Sequence, residues 1–431
     1  MHSNSRSGRQ AATPELALFL AGDALITEAW SHVQDPAFDR LLAEMRAADA
    51  TIVNLETVIH EFKGHAQADS GGTYTASLPA IAGELKWAGV DMVAHANNHA
   101  FDYGSTGILE TLEHVEAAGL VLAGTGKDLQ DARAPGYLVC ESSTVALVAM
   151  ASTFIRYGKA SRSRPDMHGR PGLNPLELTR DTVVKLTPRM AGVLRQIARL
   201  RGKRADRLKG PSFRLFGRRF QIAETSGRVS GRRVIAVDAA ANLDAIAQAA
   251  SHADLTIASI HAHSQRKWLS GFARDALAAG ADVVFCHGPH DINGIELVRG
   301  KPIFYGLGDF VFQVDGVSRF PVEVYERLGL GDEATAADVV RASRETSLAS
   351  KRQAYESCAA ALRFSNGKVT EIRLLPLDLQ FDAPKQTRGR PRWADPELGR
   401  DIIERIAERS KRYRTKINFD AARNEGSVAI D

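Results

Sequence analysis

Short apolar segments alternate with amphipathic segments along most of the chain. The stretch "ELALFLAGD" at 15–23 is continuously apolar, as in a buried strand, and "DPAFDRLLAEMRAAD" at 35–49 has apolar residues at helical spacing. The same order recurs in "VDMVAHANN" at 90–98 and in the helical pattern at 105–119. Because strands that alternate with helices build layered sheets, this pattern predicts an α/β fold.

Two segments interrupt this pattern. Residues 156–233 are strongly basic, with sixteen Lys/Arg and three Asp/Glu between Arg180 and Arg233, and they predict a largely helical insertion. The insertion is either a solvated helical face or a basic wall that attracts an anionic substrate. Residues 325–360 predict a second helical excursion.

The remaining boundaries follow from composition. Residues 1–13 predict a disordered start, 14–390 a single interrupted domain, and 391–431 a charged helix with a polar tail. Within the domain, "AALRFSNGKVTEIRLLPLDL" predicts a hairpin that turns at Asn366 and Gly367.

Composition excludes several classes of protein. Of the 431 residues, 44% are hydrophobic and 25% charged, which is typical of a soluble globular protein. The net charge of +4 is too small to indicate nucleic-acid binding, and no apolar run reaches the roughly 20 residues that span a membrane. Three widely spaced cysteines indicate a reducing compartment, so we expect a cytoplasmic protein.

Five successive predicted strands end in side chains that can bind a metal ion. Because the carboxyl ends of parallel strands meet at one edge of a sheet, these charges would be unfavourable there without an ion. The mixture of oxygen and nitrogen donors suits one or two divalent ions such as Mn, Fe, Zn or Ca. The side chains are Asp23, Glu56, Asn98, His99, His261, His263, His287 and His290.

Six ordered motifs are more specific than the strand ends alone. They are "GD" (22–23), "NLE" (54–56), "ANNHAFDYG" (96–104), "AGTGKDLQDARAP" (123–135), "HGPH" (287–290) and "KPIFYGLGDFVF" (301–312). With these motifs the chain resembles the capsule-biosynthesis (poly-γ-glutamate) CapA family, itself similar to the calcineurin-like metallophosphatases. The resemblance implies a four-layer α-β-β-α sandwich with a metal centre at the carboxyl ends of its strands.

The resemblance also implies a role for each matching residue. His99 would be the acid/base group that faces the substrate, and Asp102 would orient its imidazole. The implied metal ligands are Asp23 and His290 at a first position, Glu56 as a bridge, and Asn98, His261 and His287 at a second position.

The chain departs from the family pattern at several positions. Leu25 stands where metallophosphatases have a histidine, and the capsule family usually lacks that histidine too. The first metal position therefore has few ligands, and we expect one tightly held ion more firmly than two. In "HAHSQ", His263 replaces a glycine and Gln265 a glutamate, while Gly288 replaces a histidine and Asp309 an asparagine. We interpret His263, Gln265 and Asp309 as candidate contacts to the substrate or to the ligands, which indicates retuned chemistry.

Three functions agree with these residues. The first is a soluble metal-dependent hydrolase of an anionic amide, peptide or phosphoester, since a bound divalent ion lowers the pKa of water from near 16 towards ~7. The second is a metal-assisted epimerase of a peptide or amino-acid carboxyl terminus, with His99/Asp102 and His290/Asp309 as two acid/base pairs. The third is a non-hydrolytic accessory protein of poly-γ-glutamate capsule synthesis.

Overall fold

Two β-sheets lie at the centre of the computed structural model, which describes residues 15–202, 210–264 and 267–430. The predicted disordered start and the candidate residue Gln265 lie outside these ranges. The strands are β1 (Glu15–Leu25), β2 (Ala50–Leu55), β3 (Val58–Ile59), β4 (Ala76–Ser77), β5 (Met92–Ala94), β6 (Val121–Ala123), β7 (Thr125–Gly126), β8 (Gly136–Val139), β9 (Thr144–Ala151), β10 (Gly172–Leu173), β11 (Leu178–Leu186), β12 (Ser212–Leu215), β13 (Arg218–Ile222), β14 (Gly227–Val234), β15 (Leu255–His261), β16 (Val283–His287), β17 (Ile295–Val298), β18 (Lys301–Phe304), β19 (Asp309–Phe312), β20 (Glu356–Ser365), β21 (Lys368–Asp378), β22 (Arg392–Trp393), β23 (Ile417–Asp420) and β24 (Glu425–Val428).

Several helices begin at a residue whose side chain caps the first turn. In the first helix, the Asp35 side chain accepts hydrogen bonds from the N–H groups of Ala37 and Phe38, and Pro36 occupies the first turn. The helices are α1 (Pro36–Ala47), α2 (Ala80–Ala88), α3 (Gly104–Ala117), α4 (Leu129–Arg133), α5 (Pro188–Leu200), α6 (Ala236–Ala250), α7 (Lys267–Ala279), α8 (Val322–Arg327), α9 (Ala336–Arg344) and α10 (Pro396–Ser410). Among them, α1, α4, α5 and α10 have such a side-chain cap.

The order of strands brings the carboxyl ends of the apolar strands together. The larger sheet runs β23-β24-β21-β20-β1-β2-β5-β6, with β19 also paired to β1. In it, β1 is parallel to β2 and β19, and β2, β5 and β6 are parallel to one another. The second sheet runs β17-β18-β16-β15-β9-β8, and its central strands β18, β16, β15 and β9 are parallel.

The apolar side chains divide into layers. Leu18 on β1, Leu147 on β9 and Ile257 on β15 belong to one buried cluster, which fills the space between the two sheets. Phe19 points to the opposite face of β1 and packs in a second cluster with Phe38 of α1. Helix α7 packs against β16 of the second sheet. The predicted four-layer α-β-β-α sandwich is therefore confirmed.

Residues Glu177–Ala239 form a separate compact unit. It contains a four-stranded sheet of order β12-β13-β11-β14 and the helix α5, so the prediction of a largely helical insertion at 156–233 is wrong. The strands alternate exposed arginines with buried apolar residues, as in β12, where Phe213 and Leu215 are buried. The many arginines concealed this period of two in the sequence.

After this unit the chain adds β15 to β18 to the second sheet and then β19 to β24 to the larger sheet. Helices α8 and α9 supply only twelve of the 36 residues of the predicted helical excursion at 325–360, and β20 begins at Glu356, so that segment is helical only in part. The turn between β20 and β21 has positive φ at Asn366 (53°) and Gly367 (68°), which confirms the predicted hairpin. The expected polar tail after the last helix is instead structured. Strands β23 and β24 pair with each other, and β24 extends the larger sheet next to β21.

A buried histidine follows β5. His95 is fully buried, and its Nδ1 lies 2.9 Å from the Thr125 hydroxyl. Burial lowers the pKa of His95 from 6.5 to about 4, although a backbone hydrogen bond at Thr57 acts in the opposite direction. The fold therefore holds His95 neutral.

This histidine predicts a loss of stability in acid. Between about pH 6.5 and about pH 4 the unfolded chain binds a proton at His95 that the folded chain does not, so the free energy of unfolding decreases as the pH falls. From pH 7 to pH 5 the wild type should lose about 2 kcal/mol more than His95→Gln in urea titrations. Equal losses in the two proteins would contradict this account.

Candidate metal centre

Two aspartates lie side by side where β1 meets β19. Asp23 and Asp309 are paired in the parallel register of these strands, and both side chains are buried. A Cβ atom added at Gly22 would lie 1.7 Å from the carbonyl oxygen of Gly308. Only glycine at position 22 therefore allows this close approach, which brings the two carboxylates together.

Asp23 is held by donors from three directions. Its Oδ1 accepts a hydrogen bond from Asn54 Nδ2 (2.7 Å) and its Oδ2 accepts one from the Gly288 N–H (2.9 Å). His287 Nδ1 lies 3.2 Å from Oδ1. Burial acts to raise the pKa of Asp23, but His287 and then His290 hold it well below its usual range.

Glu56 is the least satisfied side chain at this edge. It directly follows β2 and is fully buried, and neither carboxylate oxygen has a hydrogen-bond partner among the described residues. The Nε2 atoms of His261 and His290 lie 3.6 and 4.0 Å from Glu56 Oε1. Burial, followed by the charge of Asp23, raises the pKa of Glu56 well above its usual value. A buried carboxylate without a donor is costly unless a cation neutralises it.

The adjacent strands β15 and β16 bring two imidazoles together. His261 and His287 are register partners, and their Nδ1 atoms lie 3.0 Å apart. His287 Nε2 contacts the Ser259 hydroxyl at 2.7 Å, whereas His261 Nε2 has no partner among the described residues. Burial and then His287 lower the pKa of His261 well below 6.5. A neutral imidazole with a free nitrogen is the form that binds metal ions.

His290 forms a close pair with Asp309. Their Nδ1 and Oδ1 atoms are 2.7 Å apart, and Asp309 Oδ2 is buried without a partner among the described residues. Burial acts to lower the pKa of His290, but Asp309 and Glu56 raise it well above 6.5. Burial also raises the pKa of Asp309 to about 6. The edge thus holds more buried negative charge than its own side chains neutralise.

These atoms fit a metal ion. The buried atoms without a hydrogen-bond partner include both oxygens of Glu56, Asn98 Oδ1, His261 Nε2 and Asp309 Oδ2. Asn98 is oriented by its own Nδ2, which donates to the Gly71 carbonyl at 2.9 Å. Three sets offer ligand atoms that all lie within 4.8 Å of one another: Asp23/His261/His287, Glu56/His261/His263 and Asp23/Glu56/His290/Asp309. Asp23, Glu56 and His261 each occur in two of the three sets, so the sets overlap as expected for one ion or two neighbouring ions.

His99 and Asp102 form a separate pair at the side of this cluster. His99 Nδ1 lies 2.8 Å from Asp102 Oδ2, where the carboxylate accepts the hydrogen bond. Asp102 also accepts hydrogen bonds from the N–H groups of Gly71 (3.1 Å) and Thr75 (3.2 Å). Burial raises the pKa of Asp102, while His99 and these donors act to lower it. The pair fixes the His99 ring with a proton on Nδ1 and leaves Nε2 available.

Two departures from the family pattern compensate for each other. Gly288 has a φ of 111°, and a Cβ atom there would lie 2.9 Å from His261 Cε1 and 3.0 Å from His263 Cδ2. The ring of His263 packs edge-on against His261, with centroids 5.2 Å apart. An imidazole at 263 therefore fills the space that a side chain at 288 would need.

A cavity of about 550 Å³ opens beside these residues. Asn98, His99, His263 and His290 line part of it, and a second part of the lining, the cavity wall, comes from the end of β19 and the chain that follows it. That wall combines apolar residues with two arginines. Arg344 is paired with Asp315 (3.0 Å), whereas Arg327 is exposed and has no ion pair within 4 Å among the described residues. The apolar wall residues include Phe312, Phe320, Leu328, Val340 and Leu348.

Comparison with known proteins shows the family. Residues 17–314 match the family model described as "Bacterial capsule synthesis protein PGA_cap". The chain belongs to this family. The resemblance of its motifs to CapA proteins is thereby confirmed.

Individual relatives match most of the chain. "Uncharacterized protein y4uA" of Sinorhizobium fredii (strain NBRC 101917 / NGR234) is 31% identical over 93% of this chain and 90% of its own length. "Capsule biosynthesis protein CapA" of Bacillus anthracis is 24% identical over 71% of this chain and 61% of its own length. A solved phosphatase structure from Mycoplasma pneumoniae is 11% identical, covers 86% of this chain and 96% of its own, and gives a TM-score of 0.39.

Within residues 15–202, 210–264 and 267–430, no helix combines the length and apolar character needed to cross a membrane.

Three contributions to the site were not predicted. Asn54 and Ser259 each lie two residues before a candidate ligand, on the same face of their strand, so the period of two was an available signal. No local sequence pattern indicated the cavity wall that contains Arg327, because contacts between residues far apart in the sequence bring this wall to the site. The predicted site residues other than Gln265 lie together at this edge, and their roles stay predictions.

Because Glu56 has no donor among the described residues, replacing it should have opposite effects on the free energy of unfolding without and with a bound metal ion. In protein stripped with a chelator, Glu56→Gln should raise the free energy of unfolding by about 1–3 kcal/mol, because it removes a buried carboxylate that lacks a donor. The same variant should lose most of the stabilisation that added Mn²⁺ or Zn²⁺ gives the wild type. Urea titrations with and without the ion measure both effects.

Glu296→Gln is the matched control. Glu296 is also buried, but it is paired with Arg274 (2.7 Å) and accepts a hydrogen bond from the Tyr305 hydroxyl (2.7 Å). This variant should be destabilised and should keep the full response to the metal ion. The same response to metal in Glu56→Gln as in the wild type would show that Glu56 is not a ligand.

Proposed function

We propose that this protein is a divalent-metal-dependent hydrolase of the capsule synthesis family that acts on an anionic amide, peptide or phosphoester. One observation carries the proposal. Glu56 is fully buried with both oxygens unpartnered among the described residues, and it lies beside His261 and His290, next to a cavity that His99 also lines. A cluster of this kind is expected where a cation is bound close to a substrate.

The residues that would hold the ion divide between two positions. Asp23, Glu56, His290 and Asp309 form the set for the first. The second position would use Asn98, His261 and His287, with His263 close to the same point. When bound, a divalent ion would activate water and polarise a carbonyl or phosphoryl oxygen.

His99 would hold and transfer the proton. Its Nδ1–H is fixed by Asp102, so Nε2 is the atom that accepts a proton from the attacking water or donates one to the leaving group. Asp102 acts through His99, because its oxygens are occupied by that ring and by backbone N–H groups. It is therefore a positioning residue.

The cavity wall would select and orient the substrate. Arg327 is the wall cation without an ion pair among the described residues, so it can bind an anionic group of the substrate. The apolar side chains beside it would exclude water and accept aliphatic or aromatic portions. The resemblance to the poly-γ-glutamate CapA family, and a relative named "PGA biosynthesis protein CapA", make acidic peptides the first substrate series to test.

A second function is favoured by a specific geometric feature. His290 and Asp309 repeat the His99/Asp102 arrangement, with Nδ1 to oxygen distances of 2.7 and 2.8 Å. Two such pairs on one cavity are what an epimerase of a peptide or amino-acid carboxyl terminus needs, one to remove a proton and one to return it. In that function His290 would be committed to the substrate and not to the ion.

Catalysis in heavy water separates these functions. We expect the Mn²⁺- or Zn²⁺-loaded protein to cleave members of a phosphoester and acidic-peptide series, with no deuterium at the α-carbon of the recovered substrate. Mass spectrometry of both products and recovered substrate gives the two readouts. Deuterium incorporation without cleavage would contradict the hydrolase and support the epimerase, whereas neither reaction would favour an accessory protein.

The His99/Asp102 pair predicts a loss of rate without a loss of metal. His99→Gln should lower kcat by about 100-fold or more, since general acid/base catalysis typically contributes that much, while elemental analysis finds the ion content unchanged. Asp102→Asn should also lower kcat and leave KM nearly unchanged. Arg327→Gln is the matched control and should mainly raise KM for anionic substrates. Loss of the ion in His99→Gln would show that His99 is a ligand.

A further inference from the structure

One face of α5 exposes apolar side chains. Four residues at successive spacings of three, four and three form a continuous stripe along the 13-residue helix, which is about 20 Å long. Between 43% and 88% of each side chain is accessible to solvent. The stripe consists of Met190, Val193, Ile197 and Leu200.

The stripe is not needed to hold the Glu177–Ala239 unit together. A different side of α5 supplies Ala191 and Ala198, which are fully buried in one cluster with Phe213 and Phe220 of the sheet. Leu194 packs against the same cluster. The helix is thus apolar on two adjacent faces, and among the residues that the structure describes in this unit only one of these faces is covered. An apolar stripe exposed along the whole length of a helix indicates an interaction surface.

The unit around the stripe is strongly basic. Its described residues, 177–202 and 210–239, contain twelve Lys/Arg and four Asp/Glu. Arg189 and Arg199 are exposed on α5 itself, and Arg214 and Arg218 are exposed on the sheet. Phe216, half exposed in the turn between β12 and β13, lies with its ring centroid 5.8 Å from the guanidinium of Arg201, just after α5.

We propose that the Glu177–Ala239 unit binds the surface of an anionic lipid bilayer, with α5 lying in the plane of the headgroups. The apolar stripe would enter the boundary between headgroups and acyl chains, and the arginines would pair with lipid phosphates. An anionic polymer in water would pair with the arginines and leave the stripe exposed. A second copy of the unit would carry the same positive charge, which opposes self-association. This inference is independent of the proposed hydrolysis.

Vesicle sedimentation of the full chain tests the proposal. We expect binding to phosphatidylcholine vesicles that contain about one third phosphatidylglycerol, weak binding to phosphatidylcholine alone, and release by high salt. The double variant Val193→Ser/Leu200→Ser should bind the anionic vesicles at least tenfold more weakly. Replacing one arginine, as in Arg199→Gln, should weaken binding about fivefold, the amount expected from one headgroup contact.

Val237→Ser is the matched control. Val237 is an exposed apolar residue of the same unit but lies on α6, so this variant should bind as the wild type does. Thermal unfolding of each variant checks that the unit remains folded. Unchanged vesicle binding by the double variant, equal binding to neutral and anionic vesicles, or no vesicle binding would overturn the proposal. A wild-type dimer that the double variant converts to monomer would assign the stripe to a second copy instead.

Discussion

Buried negative charge at the carboxyl ends of β1 and β2 is the constraint on which the site depends. Asp23, Glu56 and Asp309 are removed from water together, and each buried carboxylate costs several kcal/mol unless it is neutralised. Asp23 is satisfied by Asn54, His287 and a backbone N–H group, but Glu56 has no donor among the described residues. A divalent cation would offset this cost. The same bound ion would then both stabilise this edge of the sheet and take part in the proposed reaction.

The backbone around the site is shaped by the same constraint. Gly22 lets β1 approach the turn before β19 so closely that the carboxylates of Asp23 and Asp309 come together. Gly288 leaves room for the rings of His261 and His263. The aspartate at 309 and the histidine at 263 are both departures from the family pattern, and both add a donor atom to a candidate ligand set. Neither residue contacts the His99/Asp102 hydrogen bond, which joins His99 Nδ1 to Asp102 Oδ2 at 2.8 Å.

Much of the main unit was predictable because its strands are continuous apolar runs that end in polar motifs. The candidate ligands could be located for the same reason, since parallel strands place their carboxyl ends at one edge. The strands of the basic unit were mistaken for helices because arginines occupy the exposed position of each apolar/polar pair. The wall with Arg327 was unpredictable from local pattern, because it reaches the site only through long-range packing. Asp309 was noticed as a departure, but its placement beside Asp23 depends on the pairing of β1 with β19.

Metal stoichiometry is the most direct test of the central claim. Protein stripped of metal, dialysed against micromolar Mn²⁺ or Zn²⁺ and then against metal-free buffer, can be measured by elemental analysis beside the double variant Asp23→Asn/His261→Ala. We predict one or two tightly held ions per chain in the wild type and none in the variant. Equal ion content in the two proteins, at background level or above it, would contradict the account.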